Sequence, residues 1–207
     1  KINDEWNSLN ILSINASTVG AYDLGILSSN NGKNTTLEKI KKNELEILLL
    51  FGQDDLKFIK SKEFIIYIGS HGDRGAEIAD IILPGSAYTE QDGYFTNLEG
   101  KIQKAYKATY PPGEAKEDWL IINELSASIR KKYLYNNKDD LIKAMLNYLK
   151  IHTKIGSFQI PNYNFFEENI LVDEINYYHS NSIARASKTM TDCKNARVNF
   201  KKTGTEV

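Results

Sequence analysis

The sequence predicts an α/β fold built on a short parallel sheet. Two uninterrupted apolar runs, Ile47–Phe51 and residues 64–68, each end in a glycine, Gly52 and Gly69. Runs of this kind are expected of strands covered on both faces, as parallel strands are. A third run, 81–83, is stopped by Pro84-Gly85, and two amphipathic helical patterns follow it. Strands separated by short helical or loop segments argue for a sheet with crossovers.

The elements can be justified in chain order. Residues 4–25 mix apolar and small side chains and can start as a helix capped by Asn3 or Asp4. Asn30-Asn31-Gly32-Lys33-Asn34 carries turn chemistry, since Asn and Gly tolerate positive φ, and 37–43 reads as a short polar helix. The first two strands come next, and a short helix over 72–79 leads to the third. From 86 to 110 the texture turns to Gly, Thr, Tyr and Asn, which reads as extended chain and turns. Pro111-Pro112-Gly113 closes that region. Residues 114–131 then form an amphipathic helix with acidic residues in its first turn, Arg130, Lys131 and Lys132 at its end, and Trp119, Ile122, Leu125 and Ile129 on one face. A second helix, Lys138–His152, aligns Leu141, Met145 and Leu149. The expected organisation is an α/β part over 1–154 and an extended C-terminal tail over 155–207, packed on that part and on neighbours.

Composition excludes several classes of function. With 207 residues, 41% of them hydrophobic, the chain can bury a sizeable core. The apolar runs reach only five residues, whereas a membrane helix needs about 20, so no direct membrane insertion is expected. Lys1-Ile2-Asn3-Asp4-Glu5 lacks the basic start and apolar stretch of a secretion signal and lacks an initiator Met, so the chain is expected to be processed or to continue a longer one. A net charge of −1 with both signs interspersed gives no footprint for nucleic acid. Cys193 is the single cysteine and cannot complete a four-thiolate site. The 22 Lys against 4 Arg, with 20 Asn, suggest an AT-rich gene, organellar or bacterial.

Several residues could carry chemistry. Ser70, His71 and Asp73 put a hydroxyl, an imidazole and a carboxylate on one loop after a strand, but a working triad needs the base to bridge the other two in space, which neighbours on one loop seldom achieve. Gly69, Gly72 and Gly75 lie between a strand and a helix, where a phosphate could sit on backbone N–H groups, yet their spacing matches neither the dinucleotide fingerprint nor the Walker loop. His152 and His179 are isolated. Asn15 and Asn34 open formal glycosylation acceptors without other signs of secretion. The expected set of catalytic, cofactor-binding and metal-binding residues is therefore empty, with residual nucleotide binding at 69–75 left open.

One stretch is more specific than composition can explain. Residues 67–90, YIGSHGDRGAEIADIILPGSAYTE, resemble the large iron–sulfur subunit of NADH:quinone oxidoreductase, complex I, in its mitochondrial and alphaproteobacterial form. The similarity continues through 93–103, GYFTNLEGKIQ, and 111–119, PPGEAKEDW, and it includes 19–25 and the tail segment 182–190, SIARASKTM. That family lies in the molybdopterin oxidoreductase superfamily, whose shorter pattern is carried by Ala79-Asp80, Leu83-Pro84, Glu90, Gly93, Asn97 and Glu99-Gly100. Two positions depart from it: Lys101 stands where Arg is usual and Tyr94 where Thr is usual. Lys keeps a charge but loses the guanidinium fork.

The resemblance implies a partial molybdopterin-oxidoreductase-like domain, in a structural and assembly portion of the complex I subunit that has lost the pterin. The chain is then not catalytic by itself. No cofactor is expected in it, and the iron–sulfur clusters belong to the N-terminal part of the subunit, on another chain or segment. The implied partners are other peripheral-arm subunits, above all the cluster-bearing half, on the matrix side of the mitochondrial inner membrane or the cytoplasmic face of a bacterial one. The rival reading is a fragment that binds molybdopterin guanine dinucleotide, and a third is a free-standing nucleotide-binding α/β protein. The two apolar strands need cover on both faces, and the few other elements visible imply that part of it comes from polypeptide outside residues 1–207.

Overall fold

In the computed structural model, the described residues are 12–13, 15–26, 36–53, 59–152 and 176–202. The chain forms two compact units, one of residues 1–44 and 85–162 and the other of 45–84 and 163–207. These do not follow a division at residue 154.

The second unit holds the parallel sheet. Strands β1 (Ile47–Phe51), β2 (Phe64–Gly69) and β3 (Ile81–Pro84) lie in the order β1-β2-β3, all parallel. Ile47 stands beside Phe64 and Ile66 beside Ile81, so residues of matching register share a face. The face carrying Leu48, Leu50, Ile65 and Tyr67 is buried, with Ile65 at 0% and Tyr67 at 1% exposure. On the opposite face Ile47, Leu49, Phe51, Phe64 and Ile81 are 39–58% exposed, but Ile68, beside Phe51, is buried at 1%, and on the first face Ile82, beside Tyr67, is 54% exposed. Continuous apolar character thus predicts the strands correctly, and among the described residues the edge strand β1 is buried only on its Leu48 and Leu50 side.

A four-residue helix, α3 (Arg74–Glu77), links β2 to β3. At the start of β3, Asp80 accepts a hydrogen bond from the Ile65 N–H (2.8 Å) and pairs with Lys60 (2.6 Å), while its own N–H donates to the Ile65 carbonyl. A carboxylate here satisfies a backbone donor that the short β3 does not reach.

The tail differs from expectation. Residues 155–175 and 203–207 lie outside the described residues, but in place of extended chain, 182–202 form two helices, α6 (Ser182–Ala186) and α7 (Lys188–Lys202), after a single 3-10 turn, Tyr177–His179. Asn181 caps α6, its side chain accepting from the Ala184 N–H at 2.8 Å, and the Ser187 hydroxyl accepts from Met190 N–H at 3.4 Å. These capping residues were the available signal; the sparse apolar pattern behind them concealed it.

The first unit contains α1 (Thr18–Asp23), α2 (Thr36–Lys41), the antiparallel hairpin β4 (Gly93–Thr96) and β5 (Ile102–Ala105), and the helices α4 (Asp118–Arg130) and α5 (Lys138–His152). The expected start of a helix at Asn3 or Asp4 lies outside the described residues; α1 begins at Thr18. The helix expected over 114–131 starts at Asp118 and ends at Arg130, capped by Lys131 in left-handed geometry (φ 58°). Asn123, buried on α4, binds the chain after this turn: its side-chain oxygen accepts from Leu134 and Tyr135 N–H groups, and its amide donates to the Tyr135 carbonyl.

The central strand sets the stability of the sheet. Ile65→Ala should lower unfolding free energy by about 2–5 kcal/mol, as for other large-to-small changes in a filled core. Ile129→Ala, exposed on α4, should change it by no more than about 0.5 kcal/mol. Urea midpoints of the two variants, compared with the parent, measure the difference.

Candidate functional site

The loop that leaves the middle strand of the sheet holds the residues most suggestive of chemistry. Ser70 Oγ lies 2.9 Å from His71 Nδ1, on the exposed side of the loop. Asp73 does not complete a relay with them. Its Oδ1 accepts from the Arg74 N–H at 2.8 Å, and its Oδ2 accepts from Arg185 Nε at 2.6 Å, 112 residues away. Burial pushes the Asp73 carboxyl up, but the hydrogen bond from Arg185, the Arg74 N–H and the charges of Arg185 and His179 outweigh it and hold the group below its ordinary value. An anionic carboxylate committed to a guanidinium anchors the chain rather than orienting an imidazole.

The glycines of the same loop are explained by close packing. A Cβ on Gly69 would stand 2.3 Å from the Tyr67 hydroxyl, and one on Gly75 would stand 2.5 Å from the Gln53 carbonyl oxygen and 3.0 Å from the Tyr67 ring. Tyr67 in turn donates its hydroxyl to the His71 carbonyl at 2.8 Å. The loop is thus wrapped over one buried aromatic side chain. Its geometry is unlike a phosphate cradle in two ways. The helix it leads into is one turn long and already capped by the Asp73 carboxylate, which would repel an anion. The three strands also run in sequence order, without the reversal at which α/β sheets open a ligand crevice.

The remaining candidates scatter. His179 sits in the second unit, with Nε2 3.2 Å from the Thr191 hydroxyl and Nδ1 3.5 Å from Lys194 Nζ. His152 closes α5, and its side chain falls outside the described residues. Cys193 is exposed on α7. Asn15 is exposed beside α1, and Asn34 lies outside the described residues. Among the described residues no three His, Cys, Asp or Glu side chains gather as a metal site would require.

The sequence patterns did not single out two adjacent carboxylates at the start of α4, Glu117 and Asp118. Glu117 accepts from Lys107 Nζ (3.2 Å), Lys138 Nζ (2.5 Å) and Trp119 Nε1 (3.0 Å), tying the chain after β5 to the starts of α4 and α5. Burial pushes its carboxyl up, yet the two lysines and the indole bring it below its ordinary value. Asp118, next in sequence, has no lysine. It exchanges hydrogen bonds with Gln91, whose amide donates to Oδ2 at 3.0 Å and whose oxygen accepts the Asp118 N–H at 3.3 Å. Burial raises its carboxyl, the Gln91 bond partly opposes this, and the charge of Glu117 adds to the rise. Asp118 lies at the polar end of a largely apolar cleft of about 920 Å³, walled by Leu24, Tyr94, Trp119, Leu141, Met145 and Tyr148.

Three polar residues of the pattern 79–100, Asp80, Glu90 and Asn97, likewise serve the backbone. Glu90 accepts from the Ala87 N–H at 2.9 Å, and Asn97 accepts from the N–H groups of Glu99 (3.0 Å) and Lys101 (2.9 Å), closing the β4–β5 turn around Gly100 at φ 77°. Together with Asp80 at the head of β3, they make the pattern a set of turn and strand fasteners.

Comparison with known proteins agrees with that architecture. The family model described as molybdopterin oxidoreductase matches residues 1–128. The chain belongs to the molybdopterin oxidoreductase family. Within this family it is 40% identical to the NADH-ubiquinone oxidoreductase 75 kDa subunit of Reclinomonas americana, over 91% of this chain and 28% of that protein. It is 39% identical to an NADH-quinone oxidoreductase subunit of Rickettsia bellii, over 94% and 28%, and 38% identical to the mitochondrial NADH-ubiquinone oxidoreductase 78 kDa subunit of Candida albicans, over 91% and 28%. This molybdopterin oxidoreductase chain therefore spans a little over a quarter of the length of these curated relatives. No described helix is long and apolar enough to cross a membrane.

Two titrations test the carboxylate assignments. Because the folded state depresses Asp73, its contribution is complete above the ordinary aspartate value of 3.8 and fades as pH falls through the lower folded value. The pair is partly exposed, so Arg185→Ala should cost at most about 1 kcal/mol at pH 7 and less in acid, read from amide exchange in α6 and α7. Asp118 has the opposite sign: the fold disfavours its charge, a penalty absent below 3.8 and full above the raised folded value. Asp118→Asn should therefore raise the urea midpoint at pH 7 and leave it unchanged at pH 3.

Proposed function

We propose that this chain is a structural and assembly portion, C-terminal in placement, of the large iron–sulfur subunit of complex I, which transfers electrons from NADH to ubiquinone coupled to proton translocation. The observation that carries the reading is the 38–40% identity, over at least nine-tenths of this chain, to relatives named as subunits of NADH-ubiquinone or NADH-quinone oxidoreductases, the 75 kDa and 78 kDa subunits among them. In this reading the chain holds no redox cofactor. A single cysteine in 207 residues cannot ligate an iron–sulfur cluster, so the clusters reside in polypeptide outside these residues, in the N-terminal part of the subunit. Its partners are that part and other peripheral-arm subunits. Its place is the matrix side of the mitochondrial inner membrane or the cytoplasmic face of a bacterial one.

The geometry supports a scaffold more than a catalyst. Asp73 is occupied by Arg185, the glycines 69 and 75 are packed on Tyr67, and the pattern residues Asp80, Glu90 and Asn97 hold backbone donors. A second reading, binding of molybdopterin guanine dinucleotide, is favoured by the family match itself. In the described loop, the Asp73 carboxylate at the start of α3 weighs against a phosphate there.

Affinity purification of the chain from its native membranes, followed by metal, pterin and activity analysis, tests these readings. The expected result is an NADH-oxidising complex whose iron travels with other polypeptide and which lacks molybdenum and pterin. Stoichiometric molybdenum with pterin would establish the rival reading instead. Ser70→Ala and His71→Ala should each leave NADH oxidation per assembled complex within about twofold of the parent, and a larger loss at normal assembly would place chemistry at this loop.

A further inference from the structure

The helices after Tyr177 are tied to one another by contacts close in sequence. His179 Nε2 lies 3.2 Å from the Thr191 hydroxyl, which donates to the Ser187 carbonyl at 3.1 Å, and the Arg197 guanidinium stands 5.8 Å from the centre of the Tyr177 ring. Asp73 and Arg185 join this segment to the sheet across 112 positions, at 2.6 Å and inside one compact unit. Each partner belongs to a helix too short to stand alone. Asp73 is the N-cap of α3, which has four residues, and Arg185 lies in the last turn of α6, which has five. Isolated helices shorter than about 12 residues are marginal in water, because the first turn fixes several residues for one hydrogen bond.

We propose that α6 is a strap on the glycine loop: the Asp73–Arg185 bond makes α3 and α6 form and open together, as one cooperative unit. Asp73 divides its two oxygens between the tasks. Oδ1 accepts the Arg74 N–H at the start of α3, and Oδ2 accepts Arg185 Nε. The Asp73 carbonyl meanwhile accepts the Ala76 and Glu77 N–H groups, at 2.9 and 3.0 Å. A guanidinium on Oδ2 fixes the carboxylate in the orientation that caps α3, and a capped α3 holds the carboxylate where α6 reaches it. The effect of each on the other is equal by linkage. The loop is already held at His71 by the Tyr67 hydroxyl, so Asp73 is the point at which its far end is fastened. With side chains 20% and 35% exposed, the pair adds little energy by itself. Its leverage comes from the two helix starts that depend on it, which turn two local openings into one.

Hydrogen exchange of the chain in its native assembly tests the coupling, whatever that assembly proves to be. The reporters are the Ala76 and Glu77 N–H groups in α3 and the Arg185 and Ser187 N–H groups of α6, which donate to the Asn181 and Ala184 carbonyls. Arg185→Ala leaves the sequence of the loop untouched, and Asp73→Asn keeps an oxygen that can cap α3 while removing the charge. Each should speed exchange at both sets of reporters by a similar factor, about threefold to fivefold, the scale of a part-exposed ion pair. The double variant should be no faster than the singles, since both remove the same bond. Lys60→Ala, which breaks the 2.6 Å pair with Asp80 at the other end of the sheet, should leave the α6 reporters unchanged. Acceleration confined to the segment that carries the substitution would overturn the proposal. So would factors that multiply in the double variant, or an equal response of α6 to Lys60→Ala.

Discussion

The burial of β2 organises the second unit. This strand pairs with both neighbours, and Ile65, Tyr67 and Ile68 lose almost all contact with water. An aromatic residue at its C-terminal end has to be accommodated, and the loop does so by placing glycines at 69 and 75 against the Tyr67 ring and offering the His71 carbonyl to its hydroxyl. The path of the loop then brings Asp73 to the head of α3 and into reach of Arg185. The strand's packing is thus transmitted, through one ring, to the docking of the tail helix α6.

The same loop shows how residue types associated with catalysis can be used up by structure. Hydroxyl, imidazole and carboxylate follow one another within four positions, yet the carboxylate is engaged by a guanidinium and a backbone N–H. Desolvation alone would raise Asp73; paired hydrogen bonds and charge lower it, the signature of an ion pair that holds two segments. Glu117 follows the same logic in the first unit, where two lysines and an indole converge on one half-buried carboxylate. Asp118, its neighbour, meets only an amide and shifts the other way. Adjacent carboxylates acquire opposite characters because one faces cations and the other faces an apolar cleft.

Much of the architecture was legible from local pattern. The runs at 47, 64 and 81 are strands because short stretches of β-favourable apolar residues bounded by glycine or proline leave few alternatives. α5 has the expected limits, Lys138–His152, because its acidic first turn and its apolar stripe agree. The motifs over 67–119 also carried the family. Less legible were the tail helices, whose apolar positions are too few to show a period, so that only the caps at Asn181 and Ser187 announce them.

By itself the sequence determined which segments become strands and helices, the absence of enough thiolates for a cluster, and membership of a family with this fold. Those properties depend on neighbours in the chain or on composition, which a single sequence displays in full. Tertiary structure decided that Asp73 faces Arg185 and not His71, that Glu117 collects Lys107 and Lys138, and that Ile47, Leu49 and Phe51 stay part-exposed while Leu48 and Leu50, on the other side of the same strand, are buried. A carboxylate's partner, and the face of a strand that finds cover, depend on residues up to 112 positions distant, and a continuous apolar run looks the same from both sides until the chain has folded.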